Sequence, residues 1–231
     1  MTCLFLIGTL YDVHRENPAF ALDALQHVLE EWEPDIVGVE VRPEDLTLPE
    51  SDLKKFYSEE MVWAAVRYRD RVARAIDWRG DEGAGKPSLE LLEGGEGKAI
   101  ARQADLEARL QHDHAMQGAL DLPRKWQVHK EAAKRTQSGE KLNGEDYDRF
   151  ARAYRQAFAK AVSGTDYAWL AEFQTERIQR QVAAIAELVR ASPGLRLAAL
   201  VGLDHRGSVA QALRQEFFEG ELAFAEWPDS R

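Results

Sequence analysis

The sequence predicts an α/β domain: a central, mixed but mostly parallel sheet built from two βαβ-like halves, with a large helical insertion between them. Three observations carry that reading. Short, continuously apolar runs closed by glycine stand near both ends of the chain, helical periodicities fill the middle, and the two ends repeat one order of strand, helix and strand. A length of 231 residues suits one hydrophobic core. The expectation is therefore one domain over 1–231: a first half at 1–50, a mainly helical insertion at 51–192 and a second half at 193–231.

Cys3-Leu4-Phe5-Leu6-Ile7-Gly8 reads as a fully buried strand. Asn17-Pro18 supplies an N-cap and a proline at the first helical position, and Phe20, Leu22, Leu25, Val28, Leu29 and Trp32 follow at helical spacing until Pro34. Asp35 to Val41 is a second buried strand, so the start of the chain forms a βαβ unit with a parallel pair and a right-handed crossover. Ala75-Ile76-Asp77-Trp78 is a candidate third strand. Gly80 to Gly97, rich in glycine and acidic residues, reads as an exposed loop with at most one helical turn. Tyr167, Leu170, Phe173, Ile178, Val182, Ile185 and Leu188 run down one face of a long helix that Ser192-Pro193-Gly194 ends. A strand over Leu195–Gly202, a helix over Val209–Phe218 and a strand over Glu221–Trp227 complete the second half. The halves match as Gly8-x-x-Tyr11 against Gly202-x-x-His205, and as Glu40-Val41-Arg42-Pro43-Glu44 against Glu226-Trp227-Pro228-Asp229.

A net charge of −10 disfavours nucleic acid and anionic membrane as partners, because both reward a basic surface. Cys3 is the lone cysteine, so neither an internal disulfide nor a thiolate zinc cluster can form. The apolar start lacks a basic region and is too short for a signal peptide, and no run reaches membrane-spanning length. A cytoplasmic location, a small molecule or peptide as substrate, and self-association as an open question are what remains.

In an open α/β sheet ligands bind beyond the carboxyl ends of the strands. Three polar clusters fall there: Gly8 to His14; Glu40 with Arg42 and Glu44; and Gly202 to Arg206. A histidine and carboxylates around such a space could hold a divalent metal, whose bound water becomes a nucleophile near neutral pH. The bland alternative is that a chain leaving the core simply becomes polar, with Glu40 paired to Arg42 or Arg206 and His14 in an ordinary loop. Glu40 resists that explanation, since a carboxylate closing an apolar strand needs a partner.

At Leu6-Ile7-Gly8-Thr9, Pro34-Asp35-Ile36-Val37-Gly38-Val39-Glu40, Glu176-Arg177 and Val201-Gly202-Leu203-Asp204-His205 the chain resembles the TraB/Tiki group and its erythromycin-esterase-like and ChaN-like relatives. The resemblance covers both ends of the chain in the right order and leaves the helical middle aside. It implies a metal-dependent hydrolase of a peptide, ester or related bond, with manganese, cobalt or zinc as cofactor. Glu40 and Tyr11 would be catalytic, His205, Glu40 and His14 would ligate metal, and Arg42, Asp77, Glu176, Arg177 and Arg206 would contact substrate. The chain departs from the pattern at two places. Tyr11 stands where the first Gly-x-x-His has its histidine, and Ile178 replaces the asparagine of a Glu-Arg-Asn helix. Either His14 completes the site, or metal binding is lost and the scaffold serves a noncatalytic small-ligand-binding or regulatory role.

Other signals point elsewhere. Gly80 to Lys86 nearly spells a phosphate-binding loop, but Pro87 stands where serine or threonine would bind magnesium, so it reads as a flexible loop. His112 and His114 point to different sides of a helix. The basic tract from Arg124 to Arg135 reads as a solvated helix face.

Overall fold

The computed structural model describes residues 1–69, 72–81, 84–94 and 98–228. Strand β1 (Thr2–Thr9) leads through two 3₁₀ turns, Tyr11–Glu16 and Pro18–Phe20, into helix α1 (Leu22–Trp32) and strand β2 (Ile36–Val39). Helices α2 (Glu50–Leu53) and α3 (Glu59–Arg67) precede strand β3 (Ala73–Ala75). The helical insertion continues as α4 (Ser88–Gly94), α5 (Lys98–His112), α6 (Asp121–Thr136), α7 (Gly139–Leu142), α8 (Glu145–Val162) and α9 (Ala168–Ala191). Strand β4 (Arg196–Gly202), helix α10 (Leu203–Glu216) and strand β5 (Leu222–Phe224) close the chain.

All five strands are parallel, in the order β3-β2-β4-β1-β5. The expected α/β class holds, and the sheet is fully rather than mostly parallel. β1 and β2 are not direct neighbours, however: β4 lies between them, with Leu4 opposite Leu197 and Val37 opposite Ala198. Each half therefore crosses over one strand of the other half. Because the two crossovers run in opposite directions, right-handed connections put their helices on opposite faces of the sheet. The core agrees. Leu25 and Leu29 of α1 pack with Phe5, Ile7, Val37 and Leu200 on one face, while Val209 and Leu213 of α10 pack with Leu4, Leu6, Leu197 and Ala199 on the other. The alternation along β1 and β4 is the period of two that a strand buried on both faces requires.

Several boundaries move from their sequence positions. Asn17 caps the 3₁₀ turn, accepting from the Ala19 and Phe20 amides, and α1 begins only at Leu22. The third strand lies at Ala73–Ala75 and shares only Ala75 with the candidate run Ala75–Trp78, and α4 gives the acidic loop more helix than one turn. α10 starts at Leu203 directly after β4, without the loop that its polar residues implied. Glu82, Gly83, residues 95–97 and Asp229 lie outside the described residues. Among the described residues no helix is long and apolar enough to cross a membrane.

The insertion has a small core of its own, in which Leu106 and Leu110 meet Val162, Tyr167 and Leu170. It is tied to the sheet by Asn143. β5 pairs only with Thr2 to Leu4 of β1, so the far end of β1 lacks a strand neighbour on that side. The Asn143 amide substitutes for one: its Oδ1 accepts from the Gly8 amide at 2.6 Å, and its Nδ2 donates to the Gly8 carbonyl at 3.3 Å. Replacing Asn143 by alanine leaves a partly buried amide donor unpaired and should lower the unfolding free energy in urea by about 1–3 kcal/mol. A near-neutral result would mean that water takes over this edge.

Candidate functional site

β2 ends at Val39, and the Val41 amide turns back onto the Val39 carbonyl at 2.7 Å. That tight turn directs Glu40 along the sheet's carboxyl edge, where it is only 2% exposed. Three segments supply its partners. The Tyr11 hydroxyl stands 3.1 Å from both carboxylate oxygens, Arg177 Nη2 of α9 lies 2.5 Å from Oε1, and the Gly202 amide at the start of α10 donates to Oε2. The last contact seats the carboxylate on a helix N-terminus, where the helix dipole favours an anion.

Arg177 is shared. Its Nε donates to Asp77 Oδ1 at 2.9 Å, and Arg79 Nε reaches Asp77 Oδ2 at 2.9 Å. Two carboxylates and two guanidiniums thus form one closed chain of charge. Burial pushes the Asp77 carboxyl up, but Arg177 and Arg79 outweigh it and hold its pKa below the ordinary value. Burial likewise works against the Arg177 cation, yet Asp77 and Glu40 prevail and raise its pKa, so it stays charged. The Tyr11 hydroxyl is raised by burial and by Glu40, which keeps it a protonated donor.

Tyr11 holds a left-handed backbone with φ of 52°, an uncommon state for a residue with a Cβ. Its hydroxyl passes directly over Gly202. A Cβ there would lie 1.9 Å from the Tyr11 oxygen, so glycine is what lets tyrosine reach Glu40.

His205, in the first turn of α10, is 8% exposed. Its Nδ1 faces Glu40 Oε1 at 3.8 Å and makes no hydrogen bond, while Nε2 meets the Gln174 side-chain amide at 3.3 Å. Burial pushes the ring down to about 4 against the pull of Glu40, with Arg177 adding to the fall. The imidazole is neutral at pH 7. The Gln174 atom at Nε2 is its carbonyl oxygen, an acceptor, so in this arrangement Nε2 carries the ring proton and donates it, and the Nδ1 lone pair faces Glu40.

Glu40 and Asp77 lie buried behind the floor of a cavity of about 640 Å³, a size suited to a small molecule. Tyr11, Arg79, Arg177 and His205 line one end. The insertion forms the walls: Leu110 from α5, Lys130 from α6, Tyr154 and Phe158 from α8, and Leu170 and Gln174 from α9. A second charged centre sits in the wall at Asp204, beside His205. Asp204 Oδ2 is 3.0 Å from Lys130 Nζ and 3.2 Å from Lys134 Nζ, and Oδ1 accepts from the Tyr147 hydroxyl at 2.6 Å. Burial would raise the Asp204 carboxyl, but Lys130 and Lys134 overcome it and lower its pKa.

The structure thus gathers Tyr11, Glu40, Asp77, Arg177 and His205, and leaves the other candidates outside. His14 is remote because both ring nitrogens serve the backbone: Nε2 accepts from the Leu10 amide at 3.2 Å, and Nδ1 lies 2.6 Å from the Phe20 carbonyl. Arg42 is buried against Ser88, the Lys86 carbonyl and Glu44, where it braces the loop after β3. Arg206 turns to Asp148 of α8 at 2.7 Å. Glu176 lies on the outer side of α9 and pairs with Arg180. Lys130, read as part of a solvated face, is 2% exposed, its ammonium 4.0 Å above the Tyr154 ring. Sequence reasoning also passed over Gln174 and Arg155, which carry no signal, and had Asp204 only as a member of the Gly202–Arg206 cluster.

The donor set does not suit a divalent metal as arranged. Glu40 gives its oxygens to Arg177, Tyr11 and the Gly202 amide, the Arg177 guanidinium supplies the positive charge a metal would bring, and His205 is the one imidazole facing Glu40. Among the described residues no cluster of three or more histidine, cysteine or acidic side chains could hold a metal. A comparison with known protein families, with curated proteins and with solved structures finds no match to this chain.

The neutral His205 has a consequence for stability. Its folded pKa near 4 lies below the ordinary value of 6.5, so between these pH values the unfolded chain binds more protons. Stability is fully present above about pH 6.5 and declines as pH falls toward 4, by about 3 kcal/mol at most. His14 is also lowered by burial and adds a slope of the same sign. Urea unfolding between pH 4 and 7 should therefore show a distinctly flatter pH dependence in His205→Gln than in the wild type.

Proposed function

We propose that the chain is a small-molecule hydrolase in which His205, backed by Glu40, activates water at the cavity floor without a divalent metal. One observation carries the reading: a buried, neutral imidazole at the cavity wall has one nitrogen toward a fixed carboxylate and the other toward a replaceable amide partner. When water takes the place of Gln174 at Nε2, the ring proton can shift to Nδ1, on the Glu40 side, and Nε2 then accepts a proton from the water as its oxygen attacks a carbonyl carbon. The imidazolium so formed is stabilised by Glu40, and the proton then passes to the leaving alcohol or amine as the acyl bond breaks. Arg177 and the Gly202 amide act as positioning groups, because they hold Glu40 in place. The resemblance at Gly8-Thr9, Glu40, Glu176-Arg177 and Gly202-x-x-His205 supports hydrolysis as the reaction class and departs from the metal-assisted version of it.

A second reading has its own support. Gln174 occupies Nε2, and the Glu40–Arg177–Asp77–Arg79 chain is already satisfied, as in a cavity that binds without reacting. Hydrolysis of p-nitrophenyl butyrate separates the two. Activity should fall about 10²–10⁴-fold in His205→Gln, resist chelators, and accompany no stoichiometric uptake of manganese, cobalt or zinc in calorimetry. Loss of activity on chelation with recovery on adding metal would overturn the metal-free mechanism. Ligand binding without turnover of any ester would favour the second reading.

A further inference from the structure

Arg155 is a cavity-lining cation whose contacts are all neutral. From α8 its Nη1 donates to the main-chain carbonyl of Asp204 at 2.8 Å, and its Nη2 donates to the Ser208 hydroxyl. Among the described residues no carboxylate forms an ion pair with it. Burial works against its charge and lowers its pKa, Arg152 adds to the fall, and Asp204 and Asp148 relieve it only in part. The guanidinium is therefore fixed in direction and left without a counter-ion on a partly desolvated wall.

Its neighbours do not correct the imbalance. Asp204 lies between Lys130 and Lys134 and also accepts from Tyr147, so its one negative charge is already committed. Lys130 in turn has no room to seek solvent, since its ammonium sits between Asp204 and the Tyr154 ring. Arg155 and Lys130 both converge on Asp204, one on its carbonyl and the other on its carboxylate. Lys134 also meets Glu131 at 3.4 Å, so two carboxylates match the two ammoniums and the surplus charge at this place is that of Arg155, in a chain whose net charge is −10.

We infer that this wall is an anion subsite: the substrate carries a carboxylate or phosphate group held by Arg155 and Lys130, with an apolar body against Leu110, Phe158 and Leu170. A guanidinium and an ammonium suit both oxyanions, the first through its planar fork and the second as a point charge. The subsite adjoins the reacting end, because Asp204 and His205 are consecutive residues in the first turn of α10. Arg155, Lys130 and His205 line one cavity, so the anionic group and the bond to be cleaved belong to one small molecule. This assignment takes its reacting end from the proposed hydrolase, whereas the anion subsite itself stands on Arg155 and Lys130.

Calorimetric titration with 2-naphthoate, 1-naphthyl phosphate and neutral 2-naphthamide tests the subsite without turnover. At least one anion should bind about tenfold or more tightly than the amide, and whichever of carboxylate and phosphate binds better identifies the oxyanion. Arg155→Gln should remove that preference and Arg155→Lys should restore part of it, with melting curves confirming that both variants fold. Equal binding of anions and amide by the wild type, or an unchanged preference in Arg155→Gln, overturns the proposal. The catalytic arm compares p-nitrophenyl hydrogen glutarate with p-nitrophenyl butyrate. A higher kcat/KM for the anionic ester, collapsing toward parity in Arg155→Gln through KM, supports the assignment. Anion binding with no hydrolysis of either ester refutes the hydrolase while upholding the subsite; hydrolysis with no anion preference does the reverse.

Discussion

A carboxylate that ends a buried strand cannot keep its water, and the neighbours of Glu40 replace that water group by group. Moving such a charge out of solvent costs several kcal/mol, which only close and well-directed partners offset. Those partners come from the end of β1, the junction of β4 and α10, and the middle of α9, so segments far apart in sequence must meet at one oxygen pair. Removing one partner from such an arrangement typically costs about 3–5 kcal/mol, far more than the intact pair adds. What Glu40 chiefly contributes is geometry. The sheet edge, the start of α10 and the cavity floor have one arrangement in which this charge is satisfied.

That constraint explains two local departures from ordinary backbone and side-chain choice. Tyr11 accepts a left-handed φ because its hydroxyl bonds Glu40 from there, and Gly202 lacks a side chain because the tyrosine passes where a Cβ would be. Each would be a defect elsewhere in a strand-to-helix junction. Together they let the aromatic ring line the cavity while its hydroxyl stays on the carboxylate. His205 benefits in turn, because the carboxylate it faces is held by groups other than the histidine and remains available to an imidazolium.

The strands and α9 were legible in the sequence because their apolar residues follow the periods of two and 3.6 that burial imposes. Glu40 was legible for the opposite reason, as a charge in a place that burial forbids. Strand order was not: an apolar run says that a strand is buried, but nothing in it says that β4 would slip between β1 and β2. The missed residues share one cause. Lys130 and Arg155 lie among the polar positions of α6 and α8, and helical periodicity cannot tell a polar face that meets solvent from one that meets an enclosed cavity. His14 misled for a related reason. Its spacing from Gly8 placed it near the site, whereas a 3₁₀ turn over Tyr11–Glu16 directed its ring back onto its own backbone.

The cavity's two ends differ in charge, and the difference decides what each can do. At the floor, Glu40 and Asp77 against Arg177 and Arg79 sum to zero, so this end draws in no particular ion and is free to position a neutral imidazole. At the wall, Arg155 has only neutral acceptors and attracts negative charge over a short range. The surrounding chain is acidic and repels anions at a distance, but salt screens that repulsion beyond about 8 Å. Inside the cavity, where screening is weak, the local guanidinium and ammonium outweigh it. Selection for an anionic group is therefore made after entry, by desolvated contacts on the wall, and not by long-range steering toward the mouth. A site built this way discriminates through how long a ligand stays rather than how fast it arrives.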